Sequence, residues 1–136
     1  MSLQKGIAVA LAVVGLSGAV LAQSDSQTEV PRGLWETPLS EAGIRFHVRT
    51  KRCGSALCGR VERVKDRRGY DTPSTMVGQK VLWDLKPQPD GSFLGKMVDS
   101  QGNWLSETRI EARSGKLHLR ACGDDGCQDL VWKRLR

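Results

Sequence analysis

The sequence predicts an all-β protein, a small antiparallel up-and-down barrel of about eight strands that follows a cleaved signal peptide. Three observations predict this fold. Apolar and polar residues alternate in several segments, turn residues recur at regular intervals, and no amphipathic helix is evident after the signal. The chain has 136 residues, of which 39% are hydrophobic. That length leaves room for one core, and that apolar content excludes an intrinsically disordered protein.

The first element is the signal peptide, predicted over residues 1–22. Lys5 precedes an apolar run over residues 7–16, and Val20 and Ala22 supply tolerated residues at positions −3 and −1 of a signal-peptidase site. The alternative is an uncleaved anchor, but the run is short for a membrane span, which needs about 20 residues. We expect a flexible lead-in over 23–32, a barrel domain over 33–136, and a periplasmic or secreted bacterial protein that does not span the membrane.

Short strands are expected along the rest of the chain. On the fourth of them, Val81, Trp83 and Leu85 are expected to face the core and Leu82 the solvent. The glycines of the last four turns lie 11 to 13 residues apart, as in a barrel or sandwich. Residues 66–78 are expected to form a surface loop over one barrel mouth. The predicted strands are 33–37, 43–51, 57–65, 79–86, 91–98, 103–112, 116–122 and 128–134.

Four cysteines occur as two pairs, Cys53 with Cys58 and Cys122 with Cys127, each pair separated by four residues. Sequence alone allows three pairings of four cysteines. We favour the two local disulfides, because glycines flank each loop and exported proteins meet an oxidising compartment. A four-cysteine zinc site is the alternative, since C-x4-C knuckles occur in such sites, but export argues against it.

Several stretches carry a resemblance to a known family. They are Gly33-Leu34-Trp35-Glu36-Thr37, Cys53-Gly54-Ser55-Ala56-Leu57-Cys58-Gly59-Arg60-Val61, Leu117-His118-Leu119-Arg120-Ala121-Cys122-Gly123 and Val131-Trp132-Lys133-Arg134. Together they resemble domain of unknown function family 2147, small exported bacterial proteins, over residues 33–134. The resemblance implies a lipocalin-like β-barrel in the periplasm or outside the cell, and it implies no established activity. The Tyr-Asp-Pro-x-x-Gly motif of members is reduced here to Val98–Gly102, so no function of that loop is carried over.

Aromatic residues are the candidates for a ligand cavity. An eight-stranded barrel is wide enough either to be filled by side chains or to hold one small ligand. The cavity candidates are Trp35, Phe46, Trp83, Phe93 and Trp132. The alternative is that the tryptophans fill the core.

Basic residues concentrate in the second and third strands and the loop that follows. Such a patch would bind anionic envelope components, although a charge run is more often a solvated surface. The candidates are Arg45, Arg49, Arg52, Arg60, Arg63, Arg67 and Arg68. Nucleic acid is not expected as a partner of an exported protein.

No residue set offers a nucleophile, a base and an oxyanion donor together, and His47 and His118 are expected at the surface. The sequence therefore predicts a non-enzymatic protein without metal or cofactor, whose function is to bind a small apolar or amphipathic ligand. The alternative is an envelope interaction protein that acts through its basic outer face.

Overall fold

A computed structural model of the protein describes residues 29–136. The predicted signal peptide and most of the predicted lead-in lie outside these described residues. The described chain forms one closed barrel in which each strand pairs antiparallel with the next. Its strands are β1 (Gly33–Glu36), β2 (Arg45–Cys53), β3 (Ala56–Lys65), β4 (Lys80–Pro87), β5 (Phe93–Val98), β6 (Trp104–Arg113), β7 (Lys116–Gly123) and β8 (Gly126–Arg134). The predicted fold class is confirmed.

The barrel closes through its first and last strands. Trp35 pairs with Arg134 and Glu36 with Lys133 across β1 and β8. Two backbone hydrogen bonds at 2.8 and 2.7 Å, between Leu34 and residues 135–136, extend this seam. Closure removes the unpaired edges that an open sheet would expose. Within residues 29–136 no helix is long and apolar enough to cross a membrane.

The core fills the interior of the barrel with side chains from every strand. On β2, β7 and β8 the inward residues follow the alternation that the sequence predicted. The buried hydrophobic cluster contains Val30, Trp35, Phe46, Val48, Leu57, Val61, Val64, Val81, Leu82, Leu85, Phe93, Met97, Leu105, Ile110, Leu117, Leu119, Ala121 and Trp132. Val30 is among them, so the chain is already packed three residues before the predicted start of the barrel.

Strand β4 departs from the predicted alternation. Leu82 is fully buried, whereas Trp83 packs outside the core and pairs opposite exposed Lys96. The register of β4 shifts against both neighbouring strands, and Asp84 has a positive φ of 48°. A β-bulge adds a residue to one strand and so exchanges the faces of the residues around it. The prediction that Trp83 faces inward and Leu82 outward is therefore wrong.

One end of the barrel is closed by Trp35. Its indole Nε1–H donates to the Thr50 hydroxyl, and that hydroxyl donates to the Pro31 carbonyl at 2.7 Å. The Arg134 guanidinium lies over the Trp35 ring, 4.3 Å from the centroid. Arg134 also donates to the Arg32 carbonyl at 3.0 Å, so the segment before β1 and the end of β8 meet at this end.

The long β3–β4 connection does not lie over a mouth as expected. Its backbone runs along β3, where Thr72 N–H donates to Val64 at 2.9 Å and Gly78 N–H donates to Val61 at 2.7 Å. Met76 from this connection packs against the core. The mouth opposite Trp35 is bordered by the β1–β2 loop and the β5–β6 turn.

A candidate ligand cavity at one mouth of the barrel

A cavity of about 390 Å³ opens at the mouth opposite Trp35. Its inner wall is apolar and comes from four strands or their edges: Ile44, Phe46, Val81, Met97, Leu130 and Trp132. Its rim carries residues 37–41 of the β1–β2 loop, Val98 to Gln101 and Gln128. This volume falls within the range of small-molecule pockets, about 300–1,000 Å³. We call this space the mouth cavity.

The β1–β2 loop is a fixed wall of the mouth cavity. Thr37 N–H donates to Phe46 at 3.0 Å, and Phe46 N–H donates to the Thr37 hydroxyl at 2.9 Å. Ser40 N–H donates to Ile44 at 2.8 Å, and Gly43 accommodates the turn with a φ of 78°. The loop is therefore held at both ends by backbone bonds to the start of β2.

Asp99 shapes the other wall. Its Oδ1 accepts hydrogen bonds from the backbone N–H groups of Gln101 and Asn103, both at 2.9 Å. Asn103 Nδ2 donates to Asp99 Oδ2 at 3.2 Å. An aspartate that caps its own turn in this way is common in β-hairpins. The carboxylate nevertheless stands at the rim of the mouth cavity.

Trp132, which lines the mouth cavity, carries a hydrogen-bond donor without a partner in the described part of the chain. Its side chain is only 2% exposed, and its Nε1–H is buried with no hydrogen-bond partner among residues 29–136. A buried donor without an acceptor costs about 1–3 kcal/mol. Such groups are uncommon in folded proteins. The Trp83 Nε1–H, outside the mouth cavity, is also buried without a partner among the described residues, so an unmatched indole donor is not specific to this cavity.

A second, smaller cavity adjoins the mouth cavity. It encloses about 280 Å³ and is lined by Asp99, Asn103, Trp104, Leu105, Asp124, Asp125, Gly126, Cys127 and Gln128. Asp99 and Gln128 line both spaces. We call this second space the acidic cavity. The Trp104 side chain at its edge is 53% exposed, and its ring lies 5.6 Å from that of Trp83.

The structure separates the five aromatic cavity candidates into three groups. Phe46 and Trp132 line the mouth cavity. Trp35 and Phe93 are packed in the core, at 1% and 2% exposure. Trp83 lies on the outer surface, where Lys80 Nζ sits 4.5 Å from its ring. Sequence reasoning missed the aliphatic lining, because inward aliphatic residues near strand ends look the same as core residues until the strands are paired.

The residues of the predicted basic patch do not all lie on one face of the barrel. β2 and β3 do form a hairpin, which pairs Arg45 with Lys65 and Arg49 with Arg60. Arg52, however, pairs opposite the fully buried Leu57 and so falls on the inward phase of β2. The assumption that it shares the outer face is wrong.

Most of the other arginines of the patch have specific partners. Arg63 and Lys65 both pair with Asp71, at 3.1 and 2.7 Å, and mainly the Lys65 bond lowers the pKa of Asp71. Arg68 lies over the Tyr70 ring at 5.3 Å. Arg67 lies beside Gly43.

A shallow groove on the outer face of the barrel is lined by several basic residues. It encloses about 310 Å³ and is lined in part by Arg49, Lys51, Arg60, Glu62 and Lys80. Arg49 donates to both carboxylate oxygens of Glu62, at 2.9 and 3.3 Å, and lowers its pKa. Arg60 also donates to the Gly78 carbonyl at 3.1 Å. We call this feature the basic groove.

The four cysteines form the two predicted disulfides. Cys53 is bonded to Cys58 at the β2–β3 turn, and Cys122 to Cys127 at the β7–β8 turn. The two bonds belong to different hairpins, so the four sulfurs are not arranged as one zinc site. The Cys122–Cys127 pair stands at the edge of the acidic cavity, where Cys127 contributes to the lining.

The two histidines lie on the outward phases of their strands. His47 Nε2 is 3.1 Å from Glu36 Oε2, and the His47 side chain is mostly buried against β1. His118 pairs opposite Val131 and is half-buried. Neither contributes to the mouth cavity.

Comparison with known proteins places most of the chain in one family. A family described as "Uncharacterized protein conserved in bacteria (DUF2147)" matches residues 33–134. No curated protein matches the chain. No solved structure matches it either.

Proposed function

The chain belongs to the DUF2147 family of uncharacterized bacterial proteins, and from that premise we propose that it is an exported, non-enzymatic, lipocalin-like protein that binds a small amphipathic ligand in the mouth cavity. The observation that supports this proposal is a partly apolar space of about 390 Å³ at the open mouth of the barrel, with a polar rim. Apolar pockets with a few polar groups at the opening are the usual form of small-molecule sites.

The chemistry of the cavity supports an amphipathic ligand. Burial of an alkyl tail against Ile44, Leu130 and Trp132 removes apolar surface from water, at about 25 cal/mol per Å². Ser40, Gln101 and Gln128 at the rim supply donors and acceptors for a head group. A wholly polar ligand would leave the apolar inner wall without apolar contacts.

Export and the periplasm remain part of the proposal. Two disulfides in one small domain are typical of oxidising compartments and rare in the cytosol. The measurement is cell fractionation of a tagged chain in an expressing bacterium. We expect recovery by osmotic shock, and retention in the cytosol when residues 1–22 are deleted. Cytosolic recovery of the intact chain would contradict this part.

The binding experiment uses two neighbouring residues of β8 with opposite faces. Leu130 lines the mouth cavity, whereas Val131 is 41% exposed on the outside. Binding of dodecyl maltoside below its micelle concentration is measured by calorimetry. Leu130→Trp fills the cavity and should weaken binding roughly tenfold or more, while Val131→Trp should leave it unchanged. Equal effects of both variants, or no binding by the wild type, would overturn the proposal.

The basic groove supports a second candidate function, the binding of anionic envelope components. Lys51, Arg60 and Lys80 line one groove, and among its lining residues within 29–136 the only acidic one, Glu62, is already bonded to Arg49. Retention on heparin measures this function. Lys51→Gln/Arg60→Gln/Lys80→Gln should elute at lower salt than the control Arg113→Gln/Lys116→Gln/Lys133→Gln, which removes the same charge elsewhere. Equal elution of the two would refute the candidate.

A further inference from the structure

The geometry points to a cationic amphiphile as the ligand of the mouth cavity: its tail in that cavity and an ammonium head group in the adjoining acidic cavity. This inference rests on the proposed function and adds the head-group chemistry to it. Two features carry it, the adjacency of the two spaces and the sign of the charge around them.

The two cavities share part of their walls. Asp99 and Gln128 line both, so a ligand that passes these two side chains would extend from the apolar wall into the acidic cavity. The acidic cavity lies on one side of the mouth, next to the β7–β8 turn. An amphiphile whose tail lies on Trp132 would place its head between Asp99 and Asp125.

The charge at this mouth is opposite to that of the protein. The chain has a formal net charge of +6. Yet Glu41, Asp99, Asp124 and Asp125 line the two cavities, and among the described lining residues none is lysine or arginine. Arg67 is nearby, beside Gly43, but it lines neither space. A carboxylate or sulfate head group would meet only like charge here.

Trp104 adds the second contact that suits an ammonium group. Its indole is exposed at the edge of the acidic cavity. A cation that rests on the face of a tryptophan is attracted by the quadrupole of the ring, even at an exposed site. On the outer surface, Lys80 already makes such a contact with Trp83, the ring partner of Trp104. Carboxylates together with an aromatic face recognise an ammonium group better than a neutral sugar or an anion.

The test compares three detergents that share one tail. Dodecyltrimethylammonium, dodecyl maltoside and dodecyl sulfate are titrated into the oxidised protein below their micelle concentrations and followed by calorimetry. We expect the cationic probe to bind roughly tenfold or more tightly than the anionic one, with the neutral probe between them. Asp124→Asn/Asp125→Asn should reduce this ratio at least about threefold and leave dodecyl maltoside unchanged.

The control is Glu111→Gln/Asp129→Asn, which removes two negative charges outside both cavities and should preserve the ratio. Equal or tighter binding of dodecyl sulfate overturns the head-group inference while the proposed function stands. Loss of the preference in the control alone, or its survival in Asp124→Asn/Asp125→Asn, also overturns the inference. Failure of all three probes to bind overturns the proposed function itself.

Discussion

Trp35 and Thr50 form a buried hydrogen bond of 2.8 Å between the first two strands at the closed end of the barrel. Trp35 is 1% exposed and Thr50 is 1% exposed. The same threonine hydroxyl donates to Pro31. One hydroxyl group therefore satisfies the indole donor and ties the segment before β1 to the barrel, which leaves the opposite mouth as the open one.

Removal of that hydroxyl should destabilise the barrel. Thr50→Val keeps the shape of the side chain but leaves the Trp35 Nε1–H without an acceptor and the Pro31 carbonyl without this donor. We expect the free energy of unfolding to fall by about 1–3 kcal/mol. Urea unfolding followed by tryptophan fluorescence measures it. Thr75→Val, in the exposed part of the β3–β4 connection, should change stability by less than about 0.5 kcal/mol. A Thr50→Val protein as stable as the wild type would contradict this role.

The two disulfides should contribute independently to stability. Each closes a loop with a sequence separation of 5. The loop-closure model gives about 2 kcal/mol for so short a loop. Cys53→Ala/Cys58→Ala and Cys122→Ala/Cys127→Ala should each lose about that amount, and the quadruple variant roughly the sum, because the bonds are in different hairpins. Urea unfolding measures the loss, and alkylation mass spectrometry checks the pairing. Four thiols that react without reductant would refute it.

The strands were predictable because their signal is local. Alternation along β2 and β7 and a glycine in each tight turn are properties of neighbouring residues. Strand β4 shows where this reasoning fails. Its bulges exchange the faces of Leu82 and Trp83, and nothing in the local pattern marks an extra residue whose position is set by the pairing with β3 and β5.

The candidate site was only partly predictable for a related reason. Ile44, Val81 and Leu130 are far apart in sequence, and they meet only after the barrel has closed. The acidic cavity likewise brings Asp99 and Asp125 together, and the strand pairing that does so cannot be read from the sequence. Arg52 is in phase with Phe46 and Val48, so the alternation along β2 by itself argues against the outer face for this residue. Residue types indicated apolar, acidic and basic sites, but the pairing of the strands determined which residues come together in each site.

Acid should weaken the β4–β5 turn through Asp90. The Ser92 hydroxyl, at 2.6 Å, and the Ser92 N–H, with Arg109 nearby, lower the pKa of Asp90 below its ordinary value of 3.8. A carboxyl group with a lowered pKa stabilises the fold above its unfolded-state pKa, and this contribution is lost as the pH falls through the folded-state pKa. Asp90→Asn should therefore be less stable than the wild type at neutral pH.

The difference between Asp90→Asn and the wild type should begin to shrink below about pH 3.8, where the Asp90 carboxyl group of the unfolded chain takes up a proton, and should be lost below the lower pKa of the folded protein. Urea midpoints measured from neutral pH down to about pH 2 give this curve. Glu107→Gln, an exposed change on β6, is the control and should have the urea midpoint of the wild type at neutral pH. A difference that grows as the pH falls would reverse the sign of this argument.

Gly95 should be essential to the bulge that places Trp83 outside. A Cβ atom at Gly95 would lie 2.8 Å from the Trp83 carbonyl oxygen, the Asp84 carbonyl oxygen and the Leu85 Cα, all of them backbone atoms. Because backbone atoms have no rotamer to change, Gly95→Ala must push β4 away from β5. We expect a loss of about 1–3 kcal/mol in the free energy of unfolding, as for overpacked cores.

The neighbouring position supplies the control for Gly95→Ala. Lys96→Ala shortens an exposed side chain on the same strand and should cost less than about 0.5 kcal/mol. Asp84→Gly should also be tolerated, because glycine adopts the positive φ of 48° without a Cβ clash. Displacement of β4 should in addition change the fluorescence of Trp83 in Gly95→Ala. The contribution of Trp83 is the difference between each spectrum and that of the same protein carrying Trp83→Phe. A Gly95→Ala protein with wild-type stability and spectrum would show that β4 and β5 do not approach this closely.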